Sequence, residues 1–143
     1  MANIQSFQVQ NDTPIASHGM GADVKVARFQ VTLPVTANAD TIEFGYLPQY
    51  AVPVEAILHS GAGTFVGDVG ITGDGDGLFD GVTTVANTTL RATLSTIMGK
   101  NVGASPVAVT GLATGAGTAG TLNLIVMYVV EDQGVAYPYV AAV

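Results

Sequence analysis

The chain has 143 residues, enough for one domain that buries roughly two thirds of its unfolded surface. Four Lys and Arg stand against eleven Asp and Glu, a net charge of −7, so no basic stripe exists to neutralise a phosphate backbone and nucleic acid is excluded as a partner class. Cysteine is absent, which removes disulfide staples and thiolate chemistry. The longest apolar run, residues 122–130, is less than half of the about 20 residues a membrane-crossing helix needs, so no membrane partner is expected.

Residues 1–22 carry Asn3, Gln5, Gln8, Gln10, Asn11 and Asp12 with little periodic pattern and read as an arm. Its apolar residues Ile4, Phe7, Val9 and Ile15 need another surface to cover them, and the stretch has neither the basic start nor the apolar core of a secretory signal. A β domain is expected over residues 23–131. Residues 24–33 alternate Ala27, Phe29, Val31 and Leu33 against Arg28, Gln30 and Thr32, a strand closed by Pro34. Residues 41–47 set Ile42, Phe44 and Tyr46 against Glu43 and Gly45, a half-buried strand ended by Pro48. A third strand follows Pro53 as far as Ser60, and a fourth runs over residues 65–71 into a Gly and Asp loop at 73–81.

Residues 83–100 admit two readings. Leu90, Leu94, Ile97 and Met98 fall at helical spacing before Gly99 and Lys100, which resemble a helix stop. Against this, the stretch is rich in Thr, and β-branched residues are indifferent helix formers. Residues 107–110 make a short strand, a Gly and Ala loop follows, and residues 122–130 (LNLIVMYVV) supply the central strand, apolar on both faces. Residues 132–143, with Tyr137 and Tyr139, read as a second arm whose aromatic rings anchor a partner or pack as the chain end. Short strands punctuated by Gly and Pro predict an all-β fold, an antiparallel sandwich or jelly-roll-like barrel with extended N- and C-terminal arms. With charged residues at only 10% against 48% hydrophobic, the surface predicts an oligomer.

Chemistry-bearing constellations are few. Asp74, Asp76 and Asp80 form the calcium candidate: Asp74 and Asp76 have the one-and-three spacing of a calcium loop, with Gly77 near its turn. The match then stops, because Leu78 and Val85 stand where position five and the bidentate Glu belong, and a solvated Gly and Asp turn between strands is the preferred reading of the cluster. His18 and His59 are too few for a catalytic zinc. Ser60 beside His59 points to the opposite face of a strand, so the pair makes no nucleophile and base. Glu43 and Glu55 are a formal glycosidase pair of the kind any acidic β protein offers. No cofactor is expected.

Several stretches in order carry a likeness: Asp40-Thr41-Ile42-Glu43-Phe44-Gly45-Tyr46-Leu47-Pro48, Val52-Pro53-Val54-Glu55, Val66-Gly67-Asp68 with the Gly and Asp turn, and the late strand ending in Tyr128. Over about residues 40–80 and 118–131 the chain resembles the head decoration (cement, auxiliary capsid) proteins of tailed bacteriophages, although Phe79-Asp80-Gly81 stands where those more often carry an Arg and Phe pair. The resemblance implies a virion structural protein, not an enzyme, that sits as a homotrimer on the capsid exterior after assembly in the host cytoplasm and clamps neighbouring subunits of the major capsid protein. The partner-binding candidates are Ile4, Phe7, Val9, Tyr137 and Tyr139. The alternatives are a β-sandwich module that recognises glycans or a host surface, and another minor virion component.

Overall fold

A computed structural model describes residues 24–92 and 96–131. Eight strands run in chain order: β1 (Lys25–Leu33), β2 (Thr41–Leu47), β3 (Ala51–Ser60), β4 (Val66–Ile71), β5 (Asp74–Thr83), β6 (Thr88–Arg91), β7 (Val107–Ala113) and β8 (Gly120–Val130). They form two antiparallel four-stranded sheets packed as a sandwich, one ordered β1-β8-β3-β6 (the β8 sheet), the other β2-β7-β4-β5 (the β7 sheet). No helix occurs among the described residues.

The chain crosses from one sheet to the other at nearly every connection. Among the described strands only β4 and β5 pair with a strand adjacent in sequence, through the turn Thr72-Gly73, where Gly73 takes a φ of +93° that an L side chain resists. Because each crossing strand has one face toward the other sheet, its apolar residues recur with period two, the pattern seen in β1 and β2.

β8 lies inside its sheet between β1 and β3, with Phe29 opposite Leu124 on one side and Leu58 opposite Leu124 on the other. Its inward residues Leu122, Leu124 and Val126 are buried against Leu47, Phe65, Val69 and Val109. The outward residues Ile125, Met127 and Val129 are only partly covered by this chain. Within this chain, then, one face of β8 is buried and the other is half-covered.

Two backbone approaches need glycine. A Cβ on Gly45, whose φ is +152°, would lie 2.6 Å from Cε1 of Phe29, which crosses from β1 onto β2. A Cβ on Gly67 would meet the Leu112 carbonyl oxygen at 2.1 Å.

The structure departs from the sequence expectations in three places. The stretch expected as a Gly and Asp loop is strand β5, an edge strand that bulges twice along β4 and still buries Leu78 and Phe79. The helical spacing over 83–100 resolves into β6, which satisfies the backbone edge of β3 from Ile57 to Ser60, and a turn that buries Ile97; Leu94 lies outside the described residues. β7 extends through Gly111 to Ala113, where the sequence suggested a loop. The arms at 1–22 and 132–143 lie outside the described residues.

Because Leu124 is wholly buried while its neighbour Ile125 points outward, Leu124→Ala is expected to cost about 2–5 kcal/mol. Ile125→Ala should cost less than half as much, since one of its sides already faces solvent. Chemical denaturation of the two variants checks the contrast.

Candidate interaction surfaces

The acidic turn resolves into a set of local bonds. Asp74 opens β5, accepts a hydrogen bond from the Thr96 hydroxyl, and sits over Gly77, where a Cβ would come within 2.9 Å of the Asp74 carboxylate. Asp76 shares a hydrogen bond with the Asp74 side chain, which raises its pKa above the ordinary 3.8, helped by the nearby charge of Asp80. Asp68 of β4 accepts from the Gly81 backbone N–H at 2.7 Å and fastens the bulge of β5. Among the described residues no group of three or more His, Cys, Asp and Glu is placed to hold a metal ion.

The other candidates are dispersed. Glu43 lies on the outer side of the β7 sheet, opposite Thr110, while Glu55 lies on the outer side of the β8 sheet, opposite Met127. A core about 10 Å thick separates them, and their side chains diverge from it, so they flank no common bond. Glu55 instead pairs with Arg91 at 2.7 Å across the β3–β6 ladder. His59 Nδ1 lies 2.9 Å from the Thr89 hydroxyl, while the Ser60 hydroxyl turns inward and donates to the Gly63 carbonyl. His18, Ile4, Phe7, Val9, Tyr137 and Tyr139 lie outside the described residues.

What strand alternation exposes is two broad faces. The β8 sheet presents Val26, Arg28 and Gln30 of β1 beside Asn123, Ile125 and Met127 of β8, with Val26 53% exposed. Arg28, Gln30, Asn123 and Ile125 line an open depression there. The β7 sheet presents Tyr46, 70% exposed, and Leu112 with Glu43, Thr110 and Asp68. Two shallow depressions meet on this face at Thr110.

The sequence reading did not single out Val24, Val26, Tyr46, Val54 and Leu112, the large apolar residues left exposed on strands and at their start. Alternation gave a signal for Val26, which shares the polar side of β1 with Arg28. It gave none for Tyr46, because the bulge between Glu43 and Gly45 reverses which side of β2 faces the core.

Since folded Asp76 holds its proton more tightly than an unfolded chain does, its contribution to stability is present below pH 3.8 and is lost as the pH rises through the elevated value. Asp76→Asn keeps a donor toward Asp74 without the charge. It is expected to melt at a higher temperature than the parent at pH 7 and to converge with it below pH 3.8, as read by thermal melts across a pH series.

No protein-family model matches the chain, and comparison with curated proteins found no match. Solved structures do match. A chain of the capsid of Ralstonia phage GP4 aligns with a TM-score of 0.65 and 30% identity, over 87% of this chain and 95% of that one. A chain of the capsid asymmetric unit of cyanophage Pam1 has the same fold, with a TM-score of 0.70 at 22% identity over 92% of this chain and 100% of that one. With nearly all of the GP4 chain matched at that identity, this protein belongs to a family of bacteriophage capsid components.

Proposed function

We propose that the protein is a head decoration subunit that binds the outer surface of the capsid as a homotrimer and clamps neighbouring major-capsid subunits. The observation that carries this reading is the likeness to a GP4 capsid chain along 95% of that chain's length, joined to the decoration-protein sequence pattern over residues 40–80 and 118–131. Supporting it, the described residues leave apolar side chains exposed on both broad faces and assemble neither the carboxylate pair nor the serine and histidine pair.

The arms do the reaching in this proposal. Extended, the 22 residues before Asp23 span at most about 70–80 Å, about twice the roughly 35 Å length of an eleven-residue strand such as β8. Ordering them costs about 1–2 kcal/mol per residue, against a return of about 25 cal/mol for each Å² of apolar surface buried. Ile4, Phe7, Val9, Tyr137 and Tyr139 therefore hold only where a complementary surface waits. Repetition around the shell multiplies a modest single contact.

Mixing purified protein with capsids that lack it tests the reading. Co-sedimentation with the capsids and a higher temperature of capsid disruption are expected. Phe7→Ala and Tyr139→Ala should weaken co-sedimentation at least about tenfold, in the range of lost interface anchors, and leave the melting temperature of the free protein unchanged. A parent protein that stays in the supernatant and leaves capsid stability unaltered refutes the proposal.

A further inference from the structure

The charged residues of the strands are not divided evenly between the two sheets. The strands of the β7 sheet carry Glu43, Asp68, Asp74, Asp76 and Asp80 and no Lys or Arg. Those of the β8 sheet carry Lys25, Arg28 and Arg91 with a single carboxylate, Glu55, already bonded to Arg91. Lys25 and Arg28 have no ion-pair partner among the described residues.

We propose that copies of this chain associate through unlike faces, the outer face of the β8 sheet of one copy against the outer face of the β7 sheet of the next. This rests on the reading of the protein as an oligomeric shell component and names the surfaces by which its copies meet. Two observations carry it. Each face sets exposed apolar side chains beside charge, Val26, Ile125 and Met127 beside Arg28 on one, Tyr46 and Leu112 on either side of Glu43 and near Asp68 on the other. Tyr, Met and Arg are side chains enriched at protein interfaces. The two faces carry opposite charge, so face to unlike face is attractive, whereas the β7 face against its own copy sets carboxylates against carboxylates.

A contact between unlike faces is heterologous, and because the donor and acceptor faces lie on opposite sides of one sandwich it joins copies in a row, a contact additional to the one that closes the proposed homotrimer. The exposed edges of the sheets then stay free for other partners, and β5, bulged and bearing three carboxylates, is protected from edge pairing.

Sedimentation velocity on the full-length protein, over a concentration series at low and high salt, tests the arrangement. Self-association that weakens as salt rises is expected. Arg28→Glu and Glu43→Lys should each raise the apparent dissociation constant about tenfold or more, and the double reversal Arg28→Glu/Glu43→Lys should recover most of the loss, because the charges again oppose. Thermal melts of all three confirm that they fold. The proposal is overturned if the parent is monomeric throughout, if the single reversals leave association unchanged, or if the double reversal is no better than its parts. Arg28→Glu that self-associates normally yet no longer sediments with capsids also overturns it, assigning the β8 face to the shell and leaving the decoration reading intact. A monomeric parent that also ignores capsids defeats both.

Discussion

Everything in the sandwich depends on β8 being paired along both edges by strands distant in sequence. β1 ends at Leu33 and β3 at Ser60, yet β8, which begins at Gly120, seats itself between them over nine residues on each side. Until it arrives, the backbone groups of β1 and β3 that face each other across the gap have no partners, and the inward face of that sheet lacks Leu122, Leu124 and Val126. The last strand therefore completes the hydrogen bonding and the core in one step. Long-range pairings of this kind carry a large loop-closure cost before they return any contact, which favours slow, all-or-none assembly.

That constraint also explains where the sequence was legible. Strands whose two faces differ announce themselves: β1 and the first half of β2 alternate because one face meets the core and the other meets water. β8 could be recognised as a strand from its β-branched and aromatic residues, but its double apolar character did not say what lay outside it. Ile125, Met127 and Val129 turn out to be an outer surface, half covered by their own chain. Nothing local distinguishes an inner layer from an interface, since both exclude water by the same residues.

The misread stretches share a different cause. β5 is Asp and Gly at most of its first positions, residues depleted in strands, and it is held by one neighbour, two bulges and the Asp68 bond to Gly81. Tertiary pairing overrides its propensity. β6 is only four residues long, too short for periodicity to speak, and Ile97 and Met98 after it, which helped to mimic a helix, pack individually into or against the core. The division of charge between the sheets was not legible either, because the order of strands in each sheet has to be known before Lys25, Arg28 and Arg91 fall on one side with Glu55 and the other strand carboxylates fall on the opposite one.

The two ends of the sandwich differ in a way that bears on function. At one end, loops are stitched across each other: Thr36 pairs with Gly117, Thr64 with Thr118, Gly61 donates to Thr121 and Asn87 donates to Gly61. A Cβ on Gly63 would strike the Ala119 carbonyl oxygen at 2.5 Å, so that end is closed at backbone-to-backbone distance. At the other end β1 begins and β8 finishes, with Lys25 opposite Tyr128 and Ala51 opposite Val130, and backbone bonds cross here too, Tyr50 donating to Gly103, Val102 to Ala51 and Glu131 to Tyr50. Both terminal segments thus join the domain at one end, next to the exposed Val24, Val26 and Val54. Under the proposed function, a clamp rooted there pulls both arms from a single base, and tension on either is carried along β1 and β8, which pair over nine residues.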